Sequence, residues 1–484
     1  MADILIERAT VITMDRARRV IEDGALAIEG NRLVAVGRTG EVRRAHGARR
    51  LIDAHRKIVI PGLVDLYAHS GGGIVKCLGE QLDGARWRDL LDDIAFRYAT
   101  PRWWYVDSQL HAIERLRNGC TMMLSQPGVS TPRLDHPRYV RETQRAFEDL
   151  GIRARIIVGP ARPPWPQTYA DFVDGRRVER QVTFQEVLAN CDRVLAESRA
   201  DPSRLVDFCV GASRFGNRNP MDPMWKPEHE RYARRQADGL RALMDRYQVG
   251  YWCHAYGNAI EYAHDAGLGL LGPKTILSHC SGIGRRAIEI LAETDTRVNH
   301  NPRARRLYLY REPCPVVELL EAGVTVGLGS DGPQPDRSGD PFLDLKGALM
   351  LQRHRFGAPG VLPPGKVLEM ATIDAHHALD LDHELGSLEP GKKADLVVVD
   401  AFRPNLWPLA MPVHQLVYYA TGADVEHVFV DGRQVVEGGR VTTVDQAALL
   451  EESAQELERL MAYPELGLRE LAAIPDRFWG HARL

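Results

Sequence analysis

The sequence has 484 residues, a formal net charge of -3 and 26% charged residues. It can therefore bury a large core plus a smaller unit, and it has no global basic footprint for nucleic acid or a membrane surface. Its seven cysteines contain no C-x-x-C pair and leave one over, unlike a secreted disulfide framework. A reducing cytoplasm is expected. Charge within "MADILIERATVITMD" and the lack of a long apolar window predict no targeting or membrane segment.

Residues 3–60 alternate apolar and polar positions in "ILIERATVITM", "ALAIEGNRLVAVG" and "RLIDAHRKIVI", which predicts antiparallel β-structure. From 61 the texture becomes short apolar runs, each ending in Gly or polar residues and followed by a helical stretch. The runs are "GLVDLYAH", "CTMMLSQPG", "ARIIVGPAR", "LVDFCVGAS", "YWCHAYGN", "TILSHCSG", "RVNHNP" and "VTVGLGSDG". Eight βα units close a parallel (β/α)8 TIM barrel, whose chemistry gathers at the strand C-termini. Tyr67, His69, His254, His279, His300 and Asp331 then share one rim. Past the barrel, "GSLEPGKKADLVVVD" and "VEHVFVDGRQVVEGGRV" return to β alternation. The expected organisation is a small β-sandwich from 1–60 plus 385–443, a barrel over 61–384 and a helical segment over 444–484.

Residues two apart on a strand face the same way, so Tyr67 and His69 both point into the barrel and can clamp one ion. By the same alternation Cys253 and Cys280 point outward and are not expected as ligands. His254 and His279 add two imidazoles and Asp331 a carboxylate. This is a mixed N/O donor set without the thiolates of structural zinc.

The order of these motifs resembles the amidohydrolase superfamily, in the branch near cytosine deaminase and the triazine hydrolases. "IVIPGLVDLYAH" resembles its first-strand metal motif, "HAYGN" the fifth-strand histidine, "LSHCSG" the sixth, "HNP" the seventh and "GLGSDGP" the eighth-strand aspartate. "ATIDAHHALDLDHELGSLEPGKKADLVVVD" resembles its return into the small sheet domain. The resemblance implies a metal-dependent enzyme acting on a small molecule, and a homodimer. Two positions depart from the pattern: Tyr67 stands where the H-x-H motif has its first histidine, and Gly257 where the deaminase-like branch has a proton-shuttling glutamate. The fourth run also lacks the lysine that bridges two metals in binuclear members.

A phenolate is a hard donor suited to iron, and Gly257 cannot move a proton for hydrolysis. These departures resemble a group of amidohydrolase-like barrels that bind a non-haem diiron centre and hydroxylate coenzyme-A-linked substrates in antibiotic biosynthesis. The expectation is therefore an iron-dependent monooxygenase with two ions, an external electron donor and an acyl-CoA-like substrate. Tyr67 lies on the metal or beside it, and Asp331 serves as ligand or base. His300 is an extra ligand or a substrate contact, with Asp207 or His111 behind it. Arg303, Arg305, Arg306 and Tyr308 form a candidate phosphate-binding loop after the seventh strand, or a salt-bridged solvated one. The alternatives are a zinc-dependent hydrolase or deaminase with a displaced proton shuttle and a non-catalytic, metal-empty barrel.

Overall fold

A computed structural model describes residues 1–79, 82, 84–128, 133–174, 176–198, 204–216, 227–304, 312–332 and 338–473. The chain forms an eight-stranded parallel barrel sheet and a mixed sheet built from its two ends. All eight expected runs are strands. In order they are Leu63–Ser70, Cys120–Pro127, Arg153–Val158, Val206–Ala212, Tyr251–Tyr256, Thr275–Ser281, Arg297–His300 and Val326–Leu328. Each pairs in parallel with its successor. Closure between the eighth strand and the first is thin, a single bridge from Ala68 to Asp331.

The small domain is one nine-stranded sheet, not purely antiparallel. Ala2–Ile12 pairs in parallel with Ala48–Asp53 and with Lys57–Pro61, because the helix Thr39–Ala45 provides the crossover a parallel pair needs. Lys57–Pro61 also pairs antiparallel with Leu396–Asp400, which ties the N-terminal strands to the C-terminal ones. After the third barrel strand the chain inserts a hairpin, Gln167–Val173 with Arg176–Val182. No helix among the described residues is long and apolar enough to cross a membrane.

Beneath the barrel, His376 lies fully buried in the short helix Ile373–Ala378 and donates from Nδ1 to the Thr372 carbonyl, 2.8 Å away. Burial pushes its imidazole down to about 4. The folded value is below the unfolded one near 6.5, so the neutral ring's contribution is complete above pH 6.5 and is lost as pH falls toward 4. Chemical denaturation across that window should show falling stability, with a shallower fall for His376→Gln.

Candidate functional site

Tyr67 and His69 project together from the first strand, as their spacing requires. The phenol oxygen lies 2.6 Å from His69 Nε2 and 2.8 Å from His254 Nε2. Its ring is fully buried and stacks on Trp252, with centroids 4.5 Å apart. Asp331 Oδ1 stands 3.2 Å from the same His69 nitrogen. His279 stacks on His254 at 5.0 Å and on Tyr256 at 5.1 Å.

Alternation would turn His279 away from the mouth, because Ser278 before it already faces inward, accepting from Trp252 Nε1 at 2.8 Å. The backbone solves this with a left-handed residue, His279 at φ +73°, followed by Cys280 at +46°. Asp331 is left-handed too, at +66°. Such conformations cost about 1–3 kcal/mol each and persist where the surroundings impose them. Cys253 and Cys280 point away, into the apolar layer between barrel and helices.

His69 Nδ1 lies 2.6 Å from the Gly128 carbonyl and His254 Nδ1 3.0 Å from that of Ser213. A carbonyl only accepts, so both Nδ1 atoms carry a proton and both Nε2 atoms face inward toward the phenol. Burial, helped by His279 and His69, pushes the His254 imidazole well below its usual range, so that ring is neutral. Two imidazole nitrogens and the Asp331 carboxylate thus converge with one phenol oxygen, and the Gln126 amide stands 3.2 Å from that oxygen.

Imidazole nitrogens, a carboxylate and a phenol oxygen are donors that a cation can use. Two donors on a tetrahedral ion at 2.0–2.1 Å stand about 3.3 Å apart, which the His69–Asp331 spacing of 3.2 Å meets. The two phenol contacts are shorter and would have to open by about half an ångström. Among the described residues, no three His, Cys, Asp or Glu side chains could by themselves hold an ion. The phenol is the group that joins His69 to His254, so the residues fit an ion only with Tyr67 counted among the donors.

Tyr67→Phe removes the one proton between these acceptors. Since an unsatisfied buried polar group costs about 1–3 kcal/mol, the metal-free variant should be less stable by about that amount, as measured by denaturation in chelator.

The other candidates are elsewhere. His300 is buried, with no partner at Nε2, and joins neither the phenol nor Asp331. Asp207 is at the opposite end of its strand, paired with Arg155 at 2.7 Å. It lines a cavity of about 910 Å³ below Trp252, together with Arg155 and Asp380. His111 Nδ1 is occupied by Arg115, at 3.1 Å. Arg303 is held by Asp344 at 2.7 and 2.8 Å, so its charge is spent within the protein. Arg305, Arg306 and Tyr308 lie outside the described residues.

Residues 242–435 match the amidohydrolase family. That match makes this segment similar to the amidohydrolase superfamily. The chain is 29% identical to a 5'-deoxyadenosine deaminase of Methanosarcina acetivorans, over 96% of this chain and 99% of that one. It is equally identical to a 5-methylthioadenosine/S-adenosylhomocysteine deaminase of Nitratidesulfovibrio vulgaris, over 93% and 95%. Among solved structures, an adenosine deaminase from Xanthomonas campestris with bound zinc superposes with a TM-score of 0.81, 22% identity and coverage of 96% and 99%. Atrazine chlorohydrolase from Arthrobacter aurescens, complexed with zinc, gives 0.72, 24%, and 94% and 100%.

These likenesses overturn the expectation of an iron monooxygenase in antibiotic biosynthesis. The full-length relatives are deaminases, and among the described residues Asp207 and His111 are engaged by Arg155 and Arg115. The coenzyme-A substrate and external electron donor lose their support with it. The physical error lay in reading the missing glutamate at Gly257 as a change of chemistry.

Proposed function

We propose that the chain is a metal-dependent hydrolase that releases ammonia from a purine-nucleoside-like small molecule. The observation that carries this is the likeness to nucleoside deaminases over 96% of the chain, supported by the cluster of nitrogen and oxygen donors at the barrel mouth. His69, His254, Asp331 and Tyr67 would hold the ion, with His279 stacked against His254. A bound zinc-type ion supplies Lewis-acid polarisation and activation of water.

The chain's own residues do the rest. The Gly128 and Ser213 carbonyls lock the two imidazoles, so their Nε2 lone pairs stay inward. Gly257 has no side chain to shuttle a proton. Among the described residues, Asp331 is the carboxylate in contact with the cluster, and its carboxylate oxygens take the proton and return it to the departing nitrogen. The Gly332 N–H, 2.8 Å from Asp331 Oδ1, orients that carboxylate. The barrel over 61–384 would be the catalytic unit, working in a reducing cytoplasm that suits seven cysteines outside any disulfide. Zinc-loaded protein should release ammonia from 5'-deoxyadenosine, methylthioadenosine or adenosine. No release from any purine nucleoside would end the proposal.

A further inference from the structure

The barrel closes at its site, and it closes poorly. Ala68 bridges Asp331, with the Asp331 N–H donating to the Tyr67 carbonyl at 2.8 Å and the His69 N–H reaching the Asp331 carbonyl at 3.4 Å. These are the residues whose side chains must meet an ion, and a ladder this short fixes their spacing weakly. Side chains just below the seam make up the deficit. Asp65, on the first strand, accepts from the Ser330 backbone N–H at 2.8 Å and from its hydroxyl at 2.5 Å. Arg115, from the helix Pro101–Arg117, donates from Nε to Asp65 at 2.7 Å and from Nη2 to the Ser330 hydroxyl at 2.6 Å. The same Nη2 lies 3.5 Å from the Asp331 carbonyl. Its Nη1 donates to the His111 carbonyl and to His111 Nδ1, each at 3.1 Å, so the guanidinium is held from behind.

We infer that Arg115, Asp65 and Ser330 form a clamp across the barrel seam that fixes Asp331 against Tyr67 and His69, making them positioning residues for the ion site. All three side chains are buried. A guanidinium presents its donors in a fixed fork, so one group can hold a carboxylate and a hydroxyl on two strands at a set separation. The clamp would also hold Asp331 in its left-handed conformation, because Ser330 immediately precedes it. This inference rests on the proposed metal-dependent function for its catalytic meaning, but the clamp itself does not.

Two measurements on the full chain test it. Zinc affinity is read by competition with a chelator, and hydrogen exchange is followed in metal-free protein over peptides covering 63–70 and 326–332. Ser330→Ala should weaken zinc 10- to 100-fold, the usual effect of losing a partner that orients a ligand, and should speed exchange at the seam. Asp65→Asn should do the same. Ser108→Ala is the control: it loses one buried hydroxyl contact on the same helix, to Thr143 at 3.0 Å, and should leave both readouts as in the wild type. Wild-type protein that takes no zinc would sink the metal reading, while faster seam exchange in Ser330→Ala would still support the clamp. Unchanged exchange, or equal losses of zinc affinity in Ser330→Ala and Ser108→Ala, would overturn it.

Discussion

Asp331→Asn should lower hydrolytic turnover by a factor of about 100 to 10,000, the range expected when a positioned acid–base group is lost. The substitution is nearly isosteric, and the amide oxygen can still accept the Gly332 N–H that lies 2.8 Å from Oδ1 in the native protein. What it removes is charge and basicity. The centre would keep two imidazole lone pairs and the phenol but lose its anion. With glycine at 257, no neighbouring glutamate exists there to take over the proton. Steady-state ammonia release by zinc-loaded wild type and variant, at matched metal content, checks this. A variant retaining more than a tenth of the wild-type rate would show that the proton travels by another route.

The largest effect on stability should come from Arg133→Met, at about 3–5 kcal/mol, the cost of stranding one partner of a buried ion pair. Arg133 and Asp135 both have fully buried side chains, 2.8 Å apart. The guanidinium also reaches Asp171 at 2.9 Å and the carbonyls of Ala99 and Ala170 at 3.2 and 2.6 Å, and lies 3.7 Å above the Tyr139 ring. It therefore fastens the segment after the second strand to the inserted hairpin. Removing it leaves the buried Asp135 without its 2.8 Å partner and with Arg180 at 3.7 Å, a half-exposed and longer contact. Denaturant unfolding should show the loss, and Arg133→Met combined with Asp135→Leu should recover part of it because no stranded charge remains.

The eight barrel strands were legible because each is a short apolar run closed by glycine or polar residues. The rim residues followed from strand direction. Alternation correctly put Tyr67 with His69 and turned Cys253 outward, but a periodicity of two could not foresee the left-handed backbone that brings His279 back inward beside an inward-facing Ser278. In the small domain, alternation showed which faces are apolar without showing the partner, so the parallel pairings of Ala2–Ile12 were missed. Asp207 was misplaced because it opens its strand instead of ending it. Arg303 looked like an anion contact because Asp344, which neutralises it, lies 41 residues away. No spacing rule could have shown Arg115 reaching from a helix to join Asp65 with Ser330 across more than two hundred residues.

The interleaved sheet has a consequence for biosynthesis. Lys57–Pro61 can pair on one side with Ala2–Ile12 as soon as both have emerged, but its other neighbour, Leu396–Asp400, comes after the entire barrel. At about 5–20 residues per second on the ribosome, that flank stays open for roughly 20–70 s. An apolar strand with unpaired backbone groups is a template for adventitious pairing, so Lys57–Pro61 needs shielding until about four-fifths of the sequence has been translated.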